Sequence, residues 1–363
     1  MKTIILLGAG KIGEMITHLL VETGDYKIVV ADISADNLKN IPTSANVETL
    51  QIDISDGNKL VEVMKGKFAA LSACPWQLTK TIAHSAKEAG IHYMDLTEDV
   101  ASTRIVKELA EGASSAFIPQ CGLAPGFISI VAYDLAKKFD TLDTIKMRVG
   151  ALPEFPHNVL SYNLTWSTDG LINEYIQPCE AIVNGVLREV PALEEREEFS
   201  IDGTKYEAFN TSGGLGTLCE TLDGKVKYLN YRTARYPGHR DILKILIQDL
   251  KLGERGDMLK DIFEYALPET EQDVVVIFVT VTGMIDGKLS QESYARRVYA
   301  REIGGKLCTA IQITTASGIC AVLDMLADGK LPQKGFIKQE DISFSDFIEN
   351  RFGANYAHPS DDR

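Results

Sequence analysis

The residues of this chain best suited to chemistry fall into two groups. The first is Gly8-Ala9-Gly10-Lys11-Ile12-Gly13, with Asp32 closing the apolar run that follows. In this G-x-G-x-x-G spacing, Gly8 suits a tight turn and Gly10 lets backbone approach a pyrophosphate. Gly13 lets a helix lie close against a strand. The backbone N–H groups of Gly10, Lys11, Ile12 and Gly13, at a helix N-terminus, attract phosphate oxygens. Asp32 can accept from both ribose hydroxyls and repels a 2′-phosphate, so the cofactor expected is NAD, with NADP less favoured. Asp53 ends a third apolar run and is placed to meet an adenine edge. Ala73-Cys74-Pro75 end a fourth, where a nicotinamide ribose lies in such folds.

The second group could hold and deprotonate a small substrate. Thr211-Ser212-Gly213 is a polar turn able to present hydroxyl and N–H donors to a carboxylate. Tyr231-Arg232-Thr233-Ala234-Arg235-Tyr236-Pro237-Gly238-His239 closes a strand with two arginines and a histidine. Strand faces alternate, so Arg232 and Arg235 point to opposite sides, and one of them is structural. Arg235, nearer the Pro-Gly break, is the expected bidentate carboxylate clamp, with Arg232 the alternative and Tyr236 beside it. Two titratable residues are candidate general bases. His239 has a reference pKa of about 6.5, and Asp95 ends a fifth apolar run, where ligands of such sheets gather. Trp166 to Tyr175 reads as a capped structural helix.

The elements that must position these residues follow from periodicity. Short apolar runs at Thr3–Leu7, Tyr26–Ala31, Val47–Ile52, Phe68–Ala73, His92–Leu96 and Ala116–Gln120 alternate with amphipathic segments. That is an α/β Rossmann pattern, a doubly wound parallel sheet. Beyond Cys121-Gly122-Leu123-Ala124-Pro125-Gly126 the pattern changes to strands at 145–150, 181–190, 226–231 and 274–282, with helices at 240–250 and 257–266. This reads as an α+β substrate domain with a largely antiparallel sheet. The expected division is 1–122 for the dinucleotide domain, 123–310 for the substrate domain, and 311–356 for a helical segment that returns to the first. The residues from Ala357 read as a disordered tail.

Composition sets outer limits. The chain has 363 residues, a formal net charge of −14, and six scattered cysteines. Its sequence pI is about 5.0. Such acidity argues against a nucleic-acid or anionic-membrane partner. Cysteines without C-x-x-C pairs argue against a thiolate metal site and fit reduced thiols, hence a cytoplasmic location. No metal is expected, the partner expected is a small molecule, and the assembly expected is a homodimer.

The order of Gly8–Gly13 with Asp32, Ile91-His92-Tyr93-Met94-Asp95-Leu96, Gly122-Leu123-Ala124-Pro125-Gly126, Thr211-Ser212-Gly213-Gly214 and Arg235-Tyr236-Pro237-Gly238-His239 resembles the saccharopine dehydrogenase family, most of all lysine 6-dehydrogenase and its relatives. The resemblance spans nearly the whole chain. It implies a Rossmann domain interrupted by a substrate domain, and an amino-acid substrate oxidised at a C–N bond. Hydride transfer to nicotinamide would then be followed by imine hydrolysis or cyclisation. Such an amine must first lose a proton, since its reference pKa is near ~10.4. Asp32 departs from the NADP-using saccharopine reductases, which lack an acid there. The competing expectation is a non-catalytic NAD-binding regulator or scaffold with the same fold.

Overall fold

The computed structural model describes residues 1–361. The chain forms two compact units. Met1–Ile130 and Gln312–Ala357 make the first, and Val131–Ile311 with the residues from His358 on make the second.

The first unit is built on a seven-stranded parallel sheet. Strands β1 (Lys2–Leu7), β2 (Tyr26–Asp32), β3 (Val47–Gln51), β4 (Ala69–Ser72), β5 (His92–Asp95) and β6 (Ala116–Ile118) are joined by Gly335–Phe336 from the far end of the chain. Across the sheet they lie in the order Gly335–Phe336, β6, β5, β4, β1, β2, β3. Ile4 to Leu7 are fully buried, as a central strand covered on both faces requires. Helices on both faces complete the doubly wound form. The sequence order reverses between β1 and β4, the switch point at which such sheets bind ligands.

The chain returns to this unit through the helix Ala310–Ala327. It is long and apolar enough to cross a membrane, yet 78% of it is buried inside the protein as a core helix. Its Asp324 ties three segments together. The carboxylate accepts from the Tyr26 hydroxyl at 2.7 Å, from Asn350 at 2.8 Å, and from Arg351 at 2.7 and 3.1 Å. Burial opposes the charge, but these donors prevail and hold the carboxyl below its usual range. The boundary with the second unit falls at Ile130, inside the helix Phe127–Ala136, rather than at residue 122. Phe127 explains the shift, for it stacks on Tyr356 at 3.8 Å and packs against Phe347.

The second unit is a mixed sheet. Strands β7 (Thr141–Pro153), β8 (Cys179–Val183), β9 (Val186–Val190), β10 (Glu197–Ile201), β11 (Thr204–Asn210), β12 (Val226–Arg235), β13 (Asp273–Ile285) and β14 (Lys288–Tyr299) take the order β10-β11-β12-β7-β13-β14. The β8–β9 hairpin pairs onto β12. The β12–β7 pair is parallel and the other pairs are antiparallel. Odd-numbered residues of β12 share one face, covered by the helices Thr168–Ile176, His239–Lys244 and Gly256–Ala266. Tyr162, Tyr175, Phe209, Leu243, Leu259 and Phe263 fill the space between. The segment 181–190, expected as one strand, turns at Asn184-Gly185, both with positive φ. The helix expected over 240–250 stops at Lys244 and widens into a π turn over Ile245–Asp249. The end of the chain is ordered through Asp361, which is buried and accepts from the Tyr299 N–H and Arg301. Asp362 and Arg363 lie outside the described residues.

Asp324→Ala would leave the buried Tyr26 hydroxyl and the Asn350 amide unpaired. Urea unfolding should show a loss of about 2–3 kcal/mol. In Asp324→Asn the deficit should shrink as pH falls below about 4, because the wild-type carboxylate then protonates and loses its own advantage.

Candidate functional site

In the first unit, the glycine loop has the shape that the sequence predicts. Gly8 has φ +97°, and a Cβ there would lie 2.7 Å from the Ala73 carbonyl oxygen. A Cβ on Gly13 would lie 1.9 Å from the Gly8 carbonyl oxygen, so the helix Lys11–Thr23 can approach this turn only without a side chain. Gly10 is the opposite case, since an added Cβ would meet only open space. Gly10 is also the N-cap of that helix and makes no side-chain cap. Backbone donors beside open space, with a positive dipole end behind them, fit a phosphate group. Asp32 closes the site. Its two oxygens accept from the Ala9 and Ser34 N–H groups, each at 2.7 Å, which fixes the carboxylate at the end of β2.

Other expected cofactor residues are placed less directly. Ala73 lies against Gly8 at the switch point. The Cys74 thiol is pushed up to about 12 by burial and by the Asp32 charge, so it stays protonated and unreactive. Pro75 caps the short turn Trp76–Leu78. Asp53 is exposed, and its carboxylate accepts from the Ser55 N–H and hydroxyl, closing its own turn.

Asp95 is 1% exposed at the end of β5. It accepts from the Tyr93 hydroxyl at 2.7 Å, the Gln120 N–H at 2.8 Å and the Thr97 N–H at 3.0 Å. Burial raises its pKa to about 6 against the pull of those donors. Asp95, expected as a general base, acts here as a strut that joins the ends of β5 and β6 through three hydrogen bonds.

The second unit gathers its functional residues around Arg235, which is 2% exposed. Its Nε donates to the Tyr175 hydroxyl at 3.0 Å and its Nη1 to the Ala234 carbonyl at 2.9 Å. The guanidinium lies over the Tyr162 ring at 5.1 Å and the Tyr175 ring at 5.8 Å. Among the described residues it forms no ion pair with a carboxylate, and Nη2 has no acceptor. Burial works against its charge, while Tyr175, Tyr162 and Glu174 work for it and keep it protonated. Beneath it, the Tyr162 hydroxyl is buried without a hydrogen-bond partner, although Thr165 and Trp166 lie near.

His239, the other expected base, belongs to the same cluster. It is 1% exposed, with Nδ1 2.9 Å from the Leu160 carbonyl oxygen and Nε2 3.1 Å from the Tyr175 hydroxyl. A carbonyl can only accept, so Nδ1 carries the proton and Nε2 is the acceptor. Burial and the nearby Arg235 charge press its pKa down to about 3. The imidazole is therefore neutral, and both nitrogens are engaged.

The remaining candidates serve the fold. Arg232 turns to the other face, as alternation requires, and pairs with Glu195 and Glu197. Tyr236 stacks on Tyr206 at 5.8 Å and donates to the Pro153 carbonyl. The Thr211 hydroxyl shares a 2.8 Å bond with Thr233, and the Ser212 N–H donates to the Glu174 carbonyl. Gly213 supplies a positive φ in the same turn. Arg232, Tyr236, Thr211 and Ser212, expected at the substrate, make these contacts within the fold. Two residues of the cluster escape sequence reasoning. Tyr162 lies outside the regular elements, and Tyr175 reads as part of a structural helix. The one available signal is the density of aromatic residues on either side of Trp166.

Comparison with known proteins agrees with this architecture. The family model for the saccharopine dehydrogenase NADP binding domain matches residues 4–116, and that for the saccharopine dehydrogenase C-terminal domain matches residues 122–352. The chain is 19% identical over 256 residues to the mitochondrial alpha-aminoadipic semialdehyde synthase of Rattus norvegicus, covering 64% of this chain and 27% of that protein. With the alpha-aminoadipic semialdehyde synthase of Arabidopsis thaliana it shares 23% over 171 residues, 45% of this chain and 16% of the relative. The chain therefore corresponds to a minor part of these longer proteins. In fold it matches apo saccharopine dehydrogenase (L-Glu forming) from Saccharomyces cerevisiae, with a TM-score of 0.79 at 15% identity over 97% of this chain and 98% of that one. With two family models that between them reach across both units, the chain belongs to the saccharopine dehydrogenase family.

Proposed function

We propose that this chain is an NAD-dependent oxidoreductase acting on the CH–NH group of an amino acid. The observation that carries the reading is Arg235, a buried guanidinium that forms no ion pair with a carboxylate among the described residues. Burying an unpaired charge costs several kcal/mol, and a substrate carboxylate would recover that cost. Family membership and the glycine loop support the redox half of the reading.

A bound nicotinamide cofactor supplies the hydride acceptor. The N–H groups around Gly10 would hold its pyrophosphate, and Asp32 its adenosine ribose. Arg235 Nη2 would donate to the amino-acid carboxylate, and the unpartnered Tyr162 hydroxyl is a second donor for the same group. With Asp95 and His239 both engaged in internal hydrogen bonds, the substrate amine would, on this reading, lose its proton to solvent. Cytoplasmic location and a homodimeric assembly remain part of the proposal.

Four outcomes test it. NAD should bind at least about tenfold more tightly than NADP, or ~1.4 kcal/mol, and Asp32→Ala should narrow that gap; equal affinities in a side-by-side titration would remove the NAD assignment. Arg235→Ala should lower kcat/KM for the amino acid by about 10–100-fold, the worth of a charge-assisted bond, with NAD affinity unchanged. A panel of L-lysine, L-saccharopine and related amino acids, followed by NADH absorbance, identifies the amine, and silence across the panel would favour a binding protein. For the amine that reacts, kcat/KM should keep rising with pH toward about 10, following the free base. A plateau near pH ~6–7 would point instead to a protein base.

A further inference from the structure

We infer that Tyr175 and His239 form a fixed relay that positions the Arg235 guanidinium for carboxylate binding. The inference rests on the clamp reading above and assigns work to two residues that the chemistry leaves idle.

For a neutral His239 the geometry permits one arrangement of protons. Leu160 offers a carbonyl oxygen, so His239 Nδ1 must donate. The neutral ring then has a lone pair at Nε2, which can only accept, so the Tyr175 hydroxyl hydrogen points to it. That leaves an oxygen lone pair of Tyr175 for the Nε–H of Arg235. Each bond in the chain Leu160–His239–Tyr175–Arg235 therefore has a fixed direction. The Ala234 carbonyl takes Nη1 in turn, so two edges of the planar guanidinium are held and Nη2 is the end left for a ligand.

The surroundings favour persistence of this arrangement. Tyr162 meets the imidazole edge-on at 5.2 Å, and Phe209 stacks parallel to it at 6.4 Å. Arg235 is the charged group beside the ring, with Tyr175 and Tyr162 as its titratable neighbours. A protonated His239 would donate from both nitrogens, so the Tyr175 oxygen would accept from the imidazolium and from the Arg235 Nε–H at once, and its own hydrogen would lose the Nε2 acceptor. The relay thus requires a neutral histidine, and the positive charge of Arg235 helps to keep it so. A pre-oriented fork loses less freedom when its ligand arrives, which is the benefit of such a scaffold.

The test uses the full chain and the amine that wild type oxidises. Tyr175→Phe keeps the ring and removes the hydroxyl. KM for the amine should rise about 10–30-fold, with kcat within about threefold and NAD affinity unchanged. His239→Leu should reproduce this split, and His239→Gln, whose amide oxygen can accept from Tyr175, should recover most of the loss. The double variant Tyr175→Phe/His239→Leu should be no worse than the poorer single one. Unchanged KM in His239→Leu would overturn the relay, as would additive losses in the double variant. Turnover slowed by roughly a hundredfold or more, with a changed pH profile, would make His239 the base instead. Should the leucine variant fail to fold, ¹⁵N NMR of wild-type histidine decides the point. His239 should be the Nδ1-protonated tautomer, unchanged between about pH 5 and 9, and titration near ~6.5 would overturn the proposal. If Arg235→Ala leaves KM unaltered, the clamp reading fails by itself, whatever the tautomer proves to be.

Discussion

A positive charge buried with no ion pair among the described residues is the constraint on which the second unit depends. Arg235 has two neutral acceptors and two aromatic faces around it. Cation–π contacts of this kind are worth roughly 0.5–2 kcal/mol each, and hydrogen bonds of a charged donor somewhat more. Together they make the burial tolerable without neutralising it. The carboxylate paired with it in the sheet is engaged elsewhere. Glu207 stands opposite Arg235 in the β11–β12 register, yet its oxygens accept from Arg196, the Gly238 N–H and the Arg240 N–H. Glu207 thereby fixes the turn that leads into the helix carrying His239, and it leaves Arg235 available for a ligand.

The same logic separates the two arginines of β12. Arg232 faces Glu195 and Glu197, and Arg148 on the neighbouring strand shares Glu197 with it. Charges on that face are ion-paired within the protein, although Arg148 Nη2 is buried without a hydrogen-bond partner. On the opposite face Arg235 has no such match among the described residues. Parity along a strand is enough to predict that the two side chains diverge, and the placement of acidic residues in β10 and the loop before it decides which is structural.

How much of this is legible in the sequence follows from how local each cause is. The glycine loop, Asp32 and the parallel sheet rest on spacing and on short apolar runs, so they can be read directly. The Asn184-Gly185 turn is equally local, and its signal is present in a run that reads as one strand when its β-formers alone are weighed. Asp95 and His239 are different. Their residue types and positions suit a base, but their hydrogen-bond partners lie on Gln120 and Leu160, remote in sequence and joined only by folding. Tyr162 is invisible for the same reason, since its importance comes from lying beneath a guanidinium on another segment.

That contrast bears on how a base should be sought in this fold. A titratable residue is useful to catalysis when some of its hydrogen-bonding capacity is left for substrate. Asp95 spends its oxygens on Tyr93, Thr97 and Gln120, and His239 spends one nitrogen on a carbonyl and the other on a hydroxyl. Both are pushed from their ordinary pKa by burial, in the directions expected for groups that prefer to be neutral. A perturbed pKa therefore marks burial here, whereas Arg235 Nη2 makes no hydrogen bond among the described residues and the Tyr162 hydroxyl is buried without a partner. Both can donate, which is the physical reason for proposing a substrate carboxylate as their ligand.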